Sequence, residues 1–188
     1  LCGARLTYNY IRFGGVAFDL PQGFLQTLNR FLNYFEPRLE QYNRFISTNK
    51  ICMERGGGVA VISLEQARDY RLVGPNLRAS GIDWDHRRDE PYSVYEDLEF
   101  DFPVGVSEIG ELGDCYSRYW IRILEMEQSV RILRQCIEKM PEGSYWNRSK
   151  KKLKVEPGEF YVRTEAPRGE LGFYLISKGG PKPHRLKI

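Results

Sequence analysis

The stretch Asp114–Met140, DCYSRYWIRILEMEQSVRILRQCIEKM, carries the strongest structural signal in the chain. Tyr119, Ile123, Met126, Val130, Leu133, Ile137 and Met140 recur at alternating four- and three-residue steps, the period of one helical face. About 26 residues rising 1.5 Å each would make a rod of roughly 39 Å. Pro141-Glu142-Gly143 stops it. Trp120, Ile121, Leu124, Ile132 and Cys136 widen the apolar surface beyond a narrow seam, so the spacing predicts a helix buried in a bundle and not a free coiled coil.

Toward the N-terminus a second helix opens after Asp19-Leu20-Pro21. Phe24, Leu28, Phe31, Leu32, Phe35, Leu39, Tyr42 and Ile46 form its apolar stripe, and Pro37 within it is expected to kink or divide it. Asn43, Arg44, Ser47 and Asn49 fall off the stripe or at its end and read as solvated. Gly56-Gly57-Gly58 reads as a turn into a short strand, Val59–Ile62. Ser63-Leu64-Glu65-Gln66 has capping-box spacing and opens a short helix to about Arg71, ended by Gly74-Pro75. Residues 76–113 show no helical period, and an irregular stretch of that length is usually functional or packed on a partner.

Toward the C-terminus, after a polar linker, the period changes from helix to strand. Phe160–Glu165 and Leu171–Ile176 alternate around the turn Ala166-Pro167-Arg168-Gly169, and a third strand runs from His184 to Ile188. The expected fold is α+β: a helical bundle core, about residues 1–143, with attached antiparallel β-strands over about 157–188.

The whole chain has 188 residues, the size of one domain. A 41% apolar and 13% aromatic content excludes general disorder. No apolar run approaches the ~18 residues needed to span a bilayer. The net charge of +3 is too small to imply nucleic acid. Cys2, Cys52, Cys115 and Cys136 are scattered without a CxxC pair, the pattern of reduced, buried thiols in a cytoplasmic protein. The opening Leu1-Cys2-Gly3 and the closing Leu186-Lys187-Ile188, which reads like the middle of a strand, suggest an excerpt of a longer polypeptide.

Each constellation that could carry chemistry has a plainer reading. The triple glycine fits neither GxxxxGK[ST] nor GxGxxG, so it reads as a turn. His86 and His184 lack metal-site spacing and read as solvated or structurally hydrogen-bonded. In the segment 78–90, Asp83 and Asp85 could accept protons and Arg78 could stabilise an anion; mutual pairing of these charges to hold a loop needs fewer assumptions. Lys150-Lys151-Lys152 with Arg148 and Lys154 could touch phosphates, but reads as a solvated linker. Glu159, Glu165, Glu170, Arg163 and Arg168 around the hairpin could form a proton path, and read as exposed cross-strand pairs.

The order of several blocks says more. Gly3-Ala4-Arg5-Leu6, Tyr10–Val16 and Asp19-Leu20-Pro21 are followed by Gly74–Asp85, Pro91–Tyr95, Gly113–Tyr119 and Glu165–Gly172. Across nearly all 188 residues this order resembles the D-type (49-kilodalton-type) subunit family of NADH–quinone oxidoreductase, respiratory complex I. The resemblance implies the fold of nickel–iron hydrogenase large subunits, emptied of the nickel-binding cysteines. It also implies a role beside a small iron–sulfur subunit, with which the family forms the chamber where quinone is reduced, coupled to proton translocation. No cofactor is expected on this chain: the clusters and FMN belong to partner subunits, quinone is the substrate of the full complex, and nucleic acid is no partner. The quinone-headgroup residues are expected before Leu1, leaving no catalytic residue or metal ligand in the chain. The stretch at Arg5 would face the small subunit. Thr7 stands where many members carry a histidine near the terminal cluster, and a hydroxyl does not titrate near neutrality. Arg78, Asp83 and Asp85 would lie near the partner surface. Membrane contact would come only through the complex, on the cytoplasmic side of a bacterial inner membrane. The alternatives are a membrane-associated nickel–iron hydrogenase large subunit and a non-catalytic interaction module.

Overall fold

The computed structural model describes residues 2–147 and 154–188, so the Lys150–Lys152 run and Arg148 lie outside the described residues. The chain is α+β. In order it forms β1 (Ile11–Arg12), β2 (Gly15–Val16), α1 (Phe24–Tyr42), a π-helical turn (Asn43–Ser47), α2 (Lys50–Gly56), α3 (Leu64–Asp69), α4 (Gly74–Ala79) and α5 (His86–Asp89). A 3₁₀ turn (Tyr95–Asp97), the long α6 (Cys115–Glu138), and β3 (Gly158–Ala166), β4 (Gly169–Ser177) and β5 (Arg185–Lys187) complete it. No helix among the described residues is long and apolar enough to cross a membrane.

α6 matches the periodicity almost to its ends. Its N-terminus is set by Asp114, whose carboxylate accepts the Ser117 N–H at 2.6 Å. Tyr116, Ile121, Ile123 and Val130 are buried along it, and α1, α2 and α4 pack on it. Leu32 and Leu39 of α1 are buried too; each such side chain contributes about 1.5–3 kcal/mol by leaving water. α3 carries the full reciprocal capping box between Ser63 and Gln66. The C-terminal sheet has order β3-β4-β5, all antiparallel, with Ala166 opposite Gly169 across the two-residue turn Pro167-Arg168.

Several expectations fail, each for a local reason. Of the two outcomes expected at Pro37, division does not occur: α1 runs through it to Tyr42. The helix then widens, with the Thr48 N–H reaching the Asn43 carbonyl five residues back. That wider turn slips the phase of the stripe. Phe45 and Ile46 swing outward, whereas Ser47, expected in solvent, is 0% exposed. Its hydroxyl bonds Asn43 Oδ1 at 3.0 Å and the Tyr119 hydroxyl at 2.9 Å. The Tyr116 hydroxyl donates to the Ser47 carbonyl at 3.0 Å. Tyr116→Phe should therefore cost about 1 kcal/mol in urea unfolding, the net worth of one hydrogen bond.

Val59–Ile62 forms no strand. Ala60 and Gly58 both adopt left-handed backbone, and isolated bonds tie the segment to the start of α6: Ile62 N–H to the Gly113 carbonyl, Cys115 N–H to the Val59 carbonyl and the Arg118 guanidinium to the Ala60 carbonyl. Gly56 closes α2, and Gly74-Pro75 begins α4, with the proline in its first turn where the missing N–H costs nothing. The stretch 76–113 thus holds the end of α4, α5 and the 3₁₀ turn. The β1–β2 ribbon is also unexpected; Tyr145–Asn147 lie along it, the Val16 N–H reaching the Tyr145 carbonyl. A Cβ on Gly15 would sit 2.2 Å from that same carbonyl, so only glycine allows the approach. The four thiols are free, though half-buried and not fully enclosed.

Candidate functional site

Of the six residues of α4, five are buried, and Arg78 in its last turn is carried inside with them at 1% exposure. A buried guanidinium has to be paired, and this one is met from three sides. Its Nε and Nη2 donate to Glu125 Oε1 of α6 at 3.0 and 2.7 Å. Nη1 lies 3.0 Å from Asp85 Oδ2 and donates to the Trp84 carbonyl at 3.1 Å. Nη1 and Nη2 each reach Glu165 Oε1 of β3 at 3.4 Å. One cation therefore ties α4, the loop before α5, α6 and the hairpin together.

Asp85 is 0% exposed and is shared with a second cation. Arg87 Nε and Nη2 donate to its two oxygens at 2.9 and 2.6 Å, and its Oδ1 also caps α5 through the Arg87 N–H at 2.9 Å. Burial alone would push the Asp85 carboxyl up; the Arg87 hydrogen bonds and the charges of Arg87 and Arg78 outweigh it and hold the group below the ordinary carboxylate value. Glu165 meets the opposite fate. Burial and then the neighbouring Asp85 charge push it above its ordinary value, against the pull of Arg78 and Arg87. Two cations face three carboxylates here, so the most weakly held carboxylate yields. Asp85 is thus no free base, and the proton-acceptor reading of it lapses: the arrangement fixes charge and holds loops.

Around His86 the expectation needs correction. The ring is buried, at 2% exposure, and neither nitrogen makes a well-aligned hydrogen bond. Nε2 lies 3.2 Å from Glu170 Oε2 and Nδ1 lies 3.7 Å from Glu90 Oε2. Arg163 binds both of those carboxylates, and the Tyr161 hydroxyl donates to Glu170. Glu165 and Glu170 stand opposite each other across the hairpin, an unfavourable pair of like charges unless arginines draw each away. The hairpin charges are therefore not simple exposed cross-strand pairs, because Glu165 is enclosed.

Asp83 stays at the surface and pairs with Arg88 at 2.9 Å. Arg5 and Thr7 take no part in the cluster. Both are exposed on the N-terminal stretch, flanking Leu6, itself 86% exposed. Sequence reasoning does not single out Glu125 and Glu165 as partners of Arg78. The one available signal is Glu125 itself, a charge set between Leu124 and Met126 in an apolar helix. Among the described residues no group of three His, Cys, Asp or Glu side chains is placed to hold a metal ion.

Comparison with known proteins agrees along the whole chain. The family model described as the 49 kDa subunit of respiratory-chain NADH dehydrogenase matches residues 1–154 and 145–188. The chain is 49% identical over 187 residues to the second NADH-quinone oxidoreductase D-type subunit of Anaeromyxobacter dehalogenans (strain 2CP-C), covering 100% of the chain and 49% of that protein. It is 49% identical over 186 residues to the D-type subunit of the same enzyme from Dehalococcoides mccartyi (strain ATCC BAA-2100 / JCM 16839 / KCTC 5957 / BAV1), covering 99% of the chain and 49% of the relative. The D-type subunit of Bacillus cytotoxicus (strain DSM 22905 / CIP 110041 / 391-98 / NVH 391-98) is 45% identical over 189 residues, covering 100% of the chain and 50% of its own length. The chain spans about half the length of the curated relatives it matches. With a family model matched from its first residue to its last, this chain belongs to the 49 kDa subunit family of respiratory-chain NADH dehydrogenase.

Proposed function

We propose that the chain is part of the quinone-reducing module of an NADH–quinone oxidoreductase, on a hydrogenase-large-subunit-like scaffold that holds a small iron–sulfur subunit. The observation that carries this reading is near-half identity, over 99–100% of the chain, to proteins named as the D-type subunit of that enzyme. Those names favour quinone chemistry over hydrogen chemistry. In this reading the clusters and flavin sit on partner subunits and carry the electrons, while this chain supplies shape and fixed charge. The module would sit peripherally at the cytoplasmic face of a bacterial membrane, touching it only through the complex.

The exposed stretch around Arg5 and Thr7 is the proposed face toward the small subunit, with Leu6 and Ile11 as apolar surface awaiting a cover. Arg78 and Asp85 would act behind that face by holding loops, and Asp83 at its surface. A photo-crosslinking side chain at Arg5 in the assembled complex should capture the small iron–sulfur subunit; capture of no complex I subunit would refute the assignment. Thr7→His should also make the terminal cluster's potential fall with rising pH, by up to about 59 mV per pH unit for a one-electron couple. A flat potential in redox-titrated spectra would place residue 7 away from the cluster.

A further inference from the structure

We propose that a cavity walled by α6, the hairpin turn and the 87–95 segment binds a small oxyanion between Arg87 and Arg122. The cavity is about 530 Å³, room enough for a phosphate or a short carboxylate with its waters. Three guanidinium groups line it, those of Arg78, Arg87 and Arg122, against two carboxylates, Glu125 and Glu165. Asp85 is not among the lining residues but holds Arg87 through Nε and Nη2, so the positive charge turned to the cavity is that of Arg122 and the Nη1 edge of Arg87.

The donors decide where an anion would sit. Arg78 commits Nε, Nη1 and Nη2 to Glu125, Glu165 and Trp84. Arg87 commits Nε and Nη2 to Asp85 and leaves Nη1 without a hydrogen bond among the described residues. Arg122 donates only to neutral acceptors, the Arg118 carbonyl and Asn76 Oδ1 at 2.9 Å, and has no carboxylate in ion-pair contact among the described residues. Burial and the repulsion of Arg118 and Arg78, against the pull of Glu125, hold its guanidinium below the ordinary arginine value, the mark of a cation short of a counter-charge. Tyr95 also lines the space. Both carboxylates are already engaged by Arg78: Glu125 Oε1 accepts from its Nε and Nη2, and Glu165 Oε1 from its Nη1 and Nη2.

The recognition chemistry does not depend on the quinone reading, and its test involves no quinone. The full chain is titrated calorimetrically with inorganic phosphate and, separately, with malonate, at ionic strength held constant with chloride. Saturable one-to-one binding is expected. Phosphate alone binding would assign the phosphate class, and malonate alone the carboxylate class. Arg122→Gln should weaken binding at least tenfold. Ser129→Trp, at an exposed position on the cavity wall, should abolish it by filling the space while leaving the Arg78 cluster intact. If Arg122→Gln does not fold, the Ser129→Trp arm decides. Absence of saturable binding by either anion, or binding unchanged in Ser129→Trp, overturns the site.

Discussion

Arg78→Met is expected to destabilise the chain by about 3–5 kcal/mol, enough to consume much of a typical domain's stability. Methionine fills comparable volume, so the loss is electrostatic. It strands Asp85 with Arg87 alone and leaves Glu125 and Glu165 enclosed without their shared cation. Arg78→Lys should recover only part of the cost: a single ammonium cannot hold Glu125 through two nitrogens while also donating to the Trp84 carbonyl. The contrast lies at the surface, where Arg131 and Asp101 pair at 2.9 Å but are 46% and 81% exposed. Arg131→Ala should cost at most about 1 kcal/mol.

The pH dependence separates charge from packing. In the wild type Glu165 is already raised above its ordinary 4.5, so its ionised form is disfavoured in the fold and it costs stability as pH rises through the folded value. Without Arg78 that cost grows, and acidification should restore part of what Arg78→Met loses. A loss in urea unfolding that is equally large at pH 7 and near pH 5 would mean that packing, not charge, is the cause.

The same cluster shows where sequence reading stops. The long α6 and the β3–β4 hairpin are legible because each repeats its period several times, 3.6 for the helix and 2 for the strands. α2, α4 and α5 are seven, six and four residues long, about two turns or fewer, and no periodicity can register in them. Ser47 escapes the pattern because one wide turn shifts phase without changing composition. Pairing within 78–90 can be foreseen, since Arg78, Asp85 and Arg87 are neighbours in sequence. The other partners of Arg78 come from 47 and 87 residues away, and only the packing of α6 and β3 against α4 brings them there. Family resemblance is legible for a different reason: block order survives where geometry cannot be read.

Asp114→Ala should cost about 3–4 kcal/mol, the second-largest effect expected from one side chain. The carboxylate is wholly enclosed and accepts three backbone N–H groups: Ser117 at 2.6 Å, Gly58 at 2.8 Å and Glu111 at 3.2 Å. Alanine removes the cap of the longest helix and orphans all three donors, two of them in loops that have no other regular structure to satisfy them. Asp114→Asn keeps one acceptor oxygen and turns an amide N–H₂ toward the remaining donors, so it should fall between wild type and alanine. Burial pushes the Asp114 carboxyl up, but the N–H groups of Ser117, Gly58 and Glu111 and the Ser117 side chain together hold it below its ordinary 3.8. The sign follows. The stabilisation is present above the ordinary carboxylate value and is lost as pH falls from there through the depressed folded value, because in that window the unfolded chain takes up the proton that the native carboxylate refuses. Wild type should therefore steepen its acid unfolding below pH 4, and Asp114→Asn, with nothing to titrate there, should lose that part of the slope. If wild type and Asp114→Asn show parallel acid limbs, the three backbone donors do not hold the carboxylate in its charged form.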